Sequence, residues 1–142
     1  MVLAREAERC VGNFNLQELA NTVWAFATAG FPDASVFTVL AKAAELRVAD
    51  MGARGLANTA WAFATAGLAN AELFGVLAKA AERRIGDFNA QELANTVWAF
   101  VMADRSDELL LAASARAAER RLDEFNAQDL ANTAWAFGKA CQ

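Results

Sequence analysis

Along this chain of 142 residues, the side chains able to do chemistry recur in step. Tryptophans stand at 24, 61, 98 and 135, spaced by 37, and three residues before each stands an asparagine: Asn21, Asn58, Asn95 and Asn132. Seven residues before each tryptophan come Gln17, Arg54, Gln91 and Gln128, and four after it come Thr28, Thr65, Met102 and Lys139. Amides and hydroxyls can hydrogen-bond the edges of unpaired bases, and an indole offers a face on which any base can stack, at about 1–3 kcal/mol per base. Another ladder of the same period, Arg5, Lys42, Lys79 and Arg116, is reinforced by Arg9, Arg83 and Arg120 and by Arg47, Arg84 and Arg121. Such a stripe can follow a phosphate backbone.

Each ladder also has a structural reading. The four asparagines never vary and so cannot tell one base from another. A hydrogen-bond ladder between repeats, satisfying buried backbone groups, suits them better. Among the amide and hydroxyl positions, those that vary, 17, 54, 91 and 128 with 28, 65, 102 and 139, are the better candidates for reading bases. Each tryptophan sits between Val or Ala and an Ala-Phe pair. Burying an indole of about 150–250 Å² gains roughly 4–6 kcal/mol gross, so core packing is the preferred reading, and rings pointing into solvent would count against it and against the end-to-end stacking of a repeated two-helix module. Glu8, Glu45, Glu82 and Glu119 are interleaved with the cations near helix C-termini, which favours a solvated, salt-bridged face. Acids outnumber bases 17 to 13, the net charge is −4 and the pI is near 4.8, so long-range attraction for nucleic acid should be weak.

Catalytic chemistry has little to work with. Histidine and tyrosine are absent from the composition, and neither a glycine-rich phosphate loop nor metal-spaced cysteines occur. The chain is expected not to be an enzyme and to need no cofactor or metal. Cys10 and Cys141 stand near opposite ends and read as buried or idle thiols. No apolar run reaches the roughly 18–20 residues of a membrane helix, so a soluble protein without a membrane partner or a small-molecule substrate is expected. Acids at Glu6 and Glu8 leave no targeting segment legible at the start.

A fixed period in this range means stacked supersecondary units. The expected fold is all-α: an α-solenoid of antiparallel helix pairs with a 37-residue repeat and a right-handed superhelix. Residues 1–142 form a single repeat segment, divided into a partial unit 1–12, units 13–49, 50–86 and 87–123, and a partial unit 124–142. The first helix of each unit opens on Asn15, Asn89 or Asn126, with Glu18, Glu92 or Asp129 three residues later, a capping-box signature. Copy two reads Gly52-Ala53-Arg54-Gly55 instead and should fray first. Leu19, Ala20, Val23, Trp24, Phe26, Ala27 and Gly30 share one broad apolar face. Gly30 followed by Pro32, and Gly67 in the next copy, stop the helix, while Asp104 replaces the glycine in copy three.

Second helices open on Asp33, Asn70 and Asp107. Their buried stripes are Val36, Phe37, Leu40, Ala43, Ala44 and Val48, then Leu73, Phe74, Leu77, Ala80, Ala81 and Ile85. Ser114 stands where Leu40 and Leu77 stood, a weak point in packing. Residues 2–11 match the second half of a unit, and the chain stops after a first helix. Both terminal helices are therefore expected to expose apolar surface, as in a piece of a longer array.

The helix pair, its period and the core Leu-Ala-Asn-Thr-(Val/Ala)-Trp-Ala-Phe at Leu19 to Phe26, Leu56 to Phe63, Leu93 to Phe100 and Leu130 to Phe137 resemble the octotricopeptide and heptatricopeptide repeat proteins. They are similar also to the helical arrays found with RAP domains and in RNA-editing substrate-binding subunits. Tetratricopeptide units, by contrast, repeat at about 34 residues. The resemblance implies a binder of single-stranded RNA in a mitochondrion or plastid, acting in processing, stability, editing or translation. The alternative is an acidic scaffold for protein partners.

Overall fold

The computed structural model describes residues 2–30 and 34–141, without the side chains of residues 2–4, 8 and 34. Eight helices are described: α1 Val2–Cys10, α2 Leu16–Thr28, α3 Ala34–Arg47, α4 Ala53–Thr65, α5 Ala71–Arg83, α6 Ala90–Met102, α7 Glu108–Arg120 and α8 Ala127–Ala140. Short 3-10 turns at Val11–Asn13, Val48–Asp50, Ile85–Asp87 and Leu122–Glu124 lead into α2, α4, α6 and α8. The described residues contain no strand, and none of their helices is long and apolar enough to cross a membrane.

Local chemistry sets where these helices start. Asn15, Asn89 and Asn126 each accept a hydrogen bond from the backbone N–H of the acid three residues on, and that acid accepts one from the asparagine N–H. The reciprocal pair satisfies two of the donors a helix start leaves over. At α4 the cap is Gly52, which offers no side chain. Copy two departs from the pattern for a packing reason. A Cβ on Gly55 would lie 3.3 Å from Leu16 Cδ1 and 3.4 Å from Met51 Cβ. Leu16 stands where the later copies have alanine, and Gly55 makes room for it.

Second helices α5 and α7 are capped by Asn70 and Asp107, which accept from the N–H groups of Leu73 and Leu110 at 2.7 and 2.9 Å. Pro32 and the expected cap Asp33 lie outside the described residues. At the ends of α2 and α4, Gly30 and Gly67 take positive φ of 69° and 72°, and Asp104 is forced into the same region at 56° after α6.

Packing joins the helices into two rows. The first helices α2, α4, α6 and α8 each pack on the next, as do the second helices α1, α3, α5 and α7, and α2–α3, α4–α5 and α6–α7 tie the rows together. The first row makes the closer approach, because Ala57, Ala60, Ala94 and Ala136 are buried along it. Leu19, Leu56 and Leu93, with Leu40, Leu73 and Leu77, fill the space between the rows. Phe74 meets Phe100 edge to face at 4.9 Å.

The packing thins where the sequence led one to expect it. Leu130 is 44% exposed although Leu19, Leu56 and Leu93 are at most 2% exposed. Ser114 is buried, and its hydroxyl makes no hydrogen bond. Because Asp104 is the one residue other than glycine to hold a left-handed conformation among the described residues, Asp104→Gly should stabilise the fold by about 0.5–1 kcal/mol in urea denaturation. An unchanged or lower midpoint would show that its side chain contributes more than the strain costs.

Candidate nucleic-acid interface

The indoles are not core. Trp24, Trp61 and Trp135 are 49%, 39% and 46% exposed, and Trp98 is half-buried. This corrects the core-packing expectation, and the helical geometry explains it. With about 100° per residue, Leu19, Val23 and Phe26 centre the inward face, and Trp24 falls roughly 140° from Leu19, beside Gln17 at about 160°. Leucine, valine and phenylalanine already fill the seam, so the ring is left at its outer margin. The stack does not depend on it. Rows of helices still form, because Leu19, Val23, Leu56, Ala60 and Phe63 are each at most 1% exposed.

The polar ladder lies on the same outer face. Gln17, Gln91 and Gln128 are exposed, as are Asn21 and Asn58, while Asn95 and Asn132 are half-buried. None of these amides takes part in a hydrogen bond among the described residues. The expected hydrogen-bond ladder between repeats is therefore absent. Backbone groups inside a helix already bond to one another, so nothing there needs an asparagine. The neighbouring threonines turn inward instead: Thr22 and Thr96 donate to the carbonyls of Glu18 and Glu92 at 2.6 and 2.7 Å. Thr28, Thr65, Met102 and Lys139 are exposed at the far end of the stripe. Lys139 holds its ammonium 5.8 Å from the centre of the Trp135 ring.

Between α2 and α4 this face forms a trough. One cavity of about 330 Å³ is walled by Trp24 and Trp61 with Gln17, Asn21 and Asn58. A second, of about 250 Å³, continues it past Gln17 and Asn58 to Arg54 and Leu16. Adjacent packed helices stand about 8–10 Å apart, which leaves room for one flat ring between successive indoles. Of the stripe residues Arg54 and Lys139 are cationic and none is acidic, whereas Glu18 and Glu92 are tied into helix caps. The negative charge of the chain thus resides elsewhere.

The basic ladder is on the other row. Arg5, Lys42, Lys79, Arg83, Arg116 and Arg120 are exposed on second helices, so the structure does not bring them together with the indoles. Lys42 pairs with Glu45 at 3.5 Å and Glu72 at 3.8 Å. Arg9 pairs with Glu6 at 2.7 Å, and this hydrogen bond raises its pKa further. Lys79 and Arg116 form no ion pair among the described residues, so the expected salt-bridged face is present only in part.

Arg84 and Arg121, considered for phosphate contact, have a structural task together with Arg47. Arg47 donates to the carbonyls of Phe14, Val11 and Gly12, the last two at 2.9 Å. Arg84 reaches the carbonyl of Ala49, and Arg121 that of Gly86. Each guanidinium clamps the turn of the preceding copy. The signal was in the sequence, as an arginine of period 37 directly before each later 3-10 turn, but spacing alone does not separate a clamp from a phosphate ladder.

Over residues 2–141 the chain matches the family model described as RNA-editing substrate-binding complex 6 protein. This agrees with the expected resemblance to RNA-editing substrate-binding subunits. No curated protein matches the chain.

Two stability measurements separate these roles. Trp61→Ala should cost about 1–2 kcal/mol, below the 3–5 typical of a buried aromatic; a loss in the upper range would return the indole to the core. Arg47→Ala should cost about 2–3 kcal/mol, since it leaves several carbonyls without a charged donor. A neutral result would dismiss the clamp.

Proposed function

We propose that this chain, which belongs to the RNA-editing substrate-binding complex 6 family, serves an RNA-editing complex by holding single-stranded RNA along the outer face of α2, α4, α6 and α8. The observation that carries this reading is the row of half-exposed indoles flanked by unengaged amides. Contiguous exposed aromatics mark interaction surfaces. Bases stacked on indoles bind with little regard to sequence, and the amides add hydrogen bonds to their edges.

In this reading the helix pairs are 37-residue units of a right-handed solenoid of the octotricopeptide or heptatricopeptide kind. The closely packed first helices take its concave side, as the shorter spacing on the inside of a curve requires. The role is binding and not catalysis: the stripe holds amides, hydroxyls and indoles but no group suited to general-base work at neutral pH. Family membership fits a mitochondrial setting, and nothing favours a plastid. RNA-editing support is the process this fits; RNA stability and translation are not specifically favoured. Protein partners are left the second-helix row, where Leu46 and Leu109 are exposed.

Fluorescence anisotropy with labelled single-stranded homopolymers tests the proposal. Binding should weaken with salt at a log–log slope of about −0.7 per phosphate contacted. Trp24→Ala and Trp61→Ala should each weaken it roughly tenfold, as the loss of one stacking platform implies. Absence of binding at low salt for every polymer would end the proposal.

A further inference from the structure

One position in the trough differs from its counterparts in kind. Gln17, Gln91 and Gln128 are neutral, and Arg54 takes their place in copy two. The same copy lacks the carboxylate that follows in the others: Gly55 replaces Glu18, Glu92 and Asp129. α4 contains no acid at all, and Glu18 across the trough is bound to the backbone N–H of Asn15 at 3.0 Å. Arg54 accordingly makes no ion pair or hydrogen bond among the described residues. Its guanidinium is exposed and lines the cavity that runs on, through Gln17 and Asn58, into the bay between Trp24 and Trp61.

We infer that Arg54 makes the trough between α2 and α4 a guanine-selecting position. This rests on the proposed stacking of RNA bases on the indoles. Asn58 lies one helical turn beyond Arg54 and Trp61 about two turns, all on one face, so a ring stacked on Trp61 turns its edge toward both polar side chains. A guanidinium presents a planar fork of donors. That fork matches the O6 and N7 acceptors of guanine, whereas adenine offers a donor where O6 would be. The glutamines of the other copies carry a donor and an acceptor, the pattern that suits adenine. Registers that look monotonous therefore contain one that reads a different base.

The test uses the intact chain and labelled single-stranded RNA octamers, one all adenine and a set carrying a single guanine at successive positions. A guanine at the favoured position should tighten binding on the order of tenfold. Arg54→Gln, which restores the residue of the other copies, should abolish that gain, so that octamers with and without the guanine bind alike. Arg54→Lys keeps the charge but not the fork, and should lose the guanine preference as well. If Arg54→Gln weakens all octamers alike and lowers the salt slope by about 0.7, Arg54 contacts phosphate and the inference is overturned, while the proposed RNA binding stands. If the unaltered chain binds no octamer, both fall together.

Discussion

Close apposition of successive first helices is the constraint on which the rest of this molecule depends. Each helix carries an inward stripe of leucine, valine or alanine, and phenylalanine, too wide for a single partner to cover. Leu56, Ala60 and Phe63 are buried because α4 lies between α2 and α6 and also packs on α5. Small side chains at the seam let the backbones approach, and the gain from burial, about 25 cal/mol per Å² of apolar surface, accumulates with every added neighbour. Helix starts tied down by asparagine and an acid keep the rows in register, and the arginine clamps attach each turn to the copy before it.

That same seam decides what remains outside. Once aliphatic and phenylalanine side chains have filled it, the indole cannot enter without opening the helix spacing, so it stays half in water beside the amides. Exposure of one large apolar ring is ordinary. Repetition of the exposure at the same position in successive helices is not, because each ring extends the patch begun by its neighbour. Charge is sorted in the same step: capping acids are drawn into the helix starts, and most other acids lie on second helices and turns. An acidic protein can thus carry a stripe whose charged members, Arg54 and Lys139, are cationic.

Cations divide in a similar way. Arg47, Arg84 and Arg121 serve backbone carbonyls of the preceding copy, Arg9 and Lys42 serve glutamates, and Arg54 at the trough has no partner of its own among the described residues. Net charge and ladder spacing describe none of this, since a guanidinium satisfied by carbonyls counts the same as a free one. With the second-helix cations separated from the indole row, the proposed RNA binding along the trough would rest more on stacking than on phosphate neutralisation.

Much of the architecture was legible in the residues themselves. Asparagine with an acid three places on, glycine at the helix end, and leucine and alanine at helical intervals are local signals, and the helices begin and end where those signals stand. Ser114 could be named as a packing defect because its counterparts are leucine. The fate of the tryptophans and asparagines was not legible, because a residue at the margin of an apolar face is buried or exposed according to how closely the next helix approaches. Nor could the sequence say that Arg47, Arg84 and Arg121 reach back across some 35 residues to carbonyls of another copy. Local bonding and periodicity thus determined the elements and their order, while side-chain volume in the shared seam, which exists only after the helices meet, decided which rungs face inward and which stay free to meet a ligand.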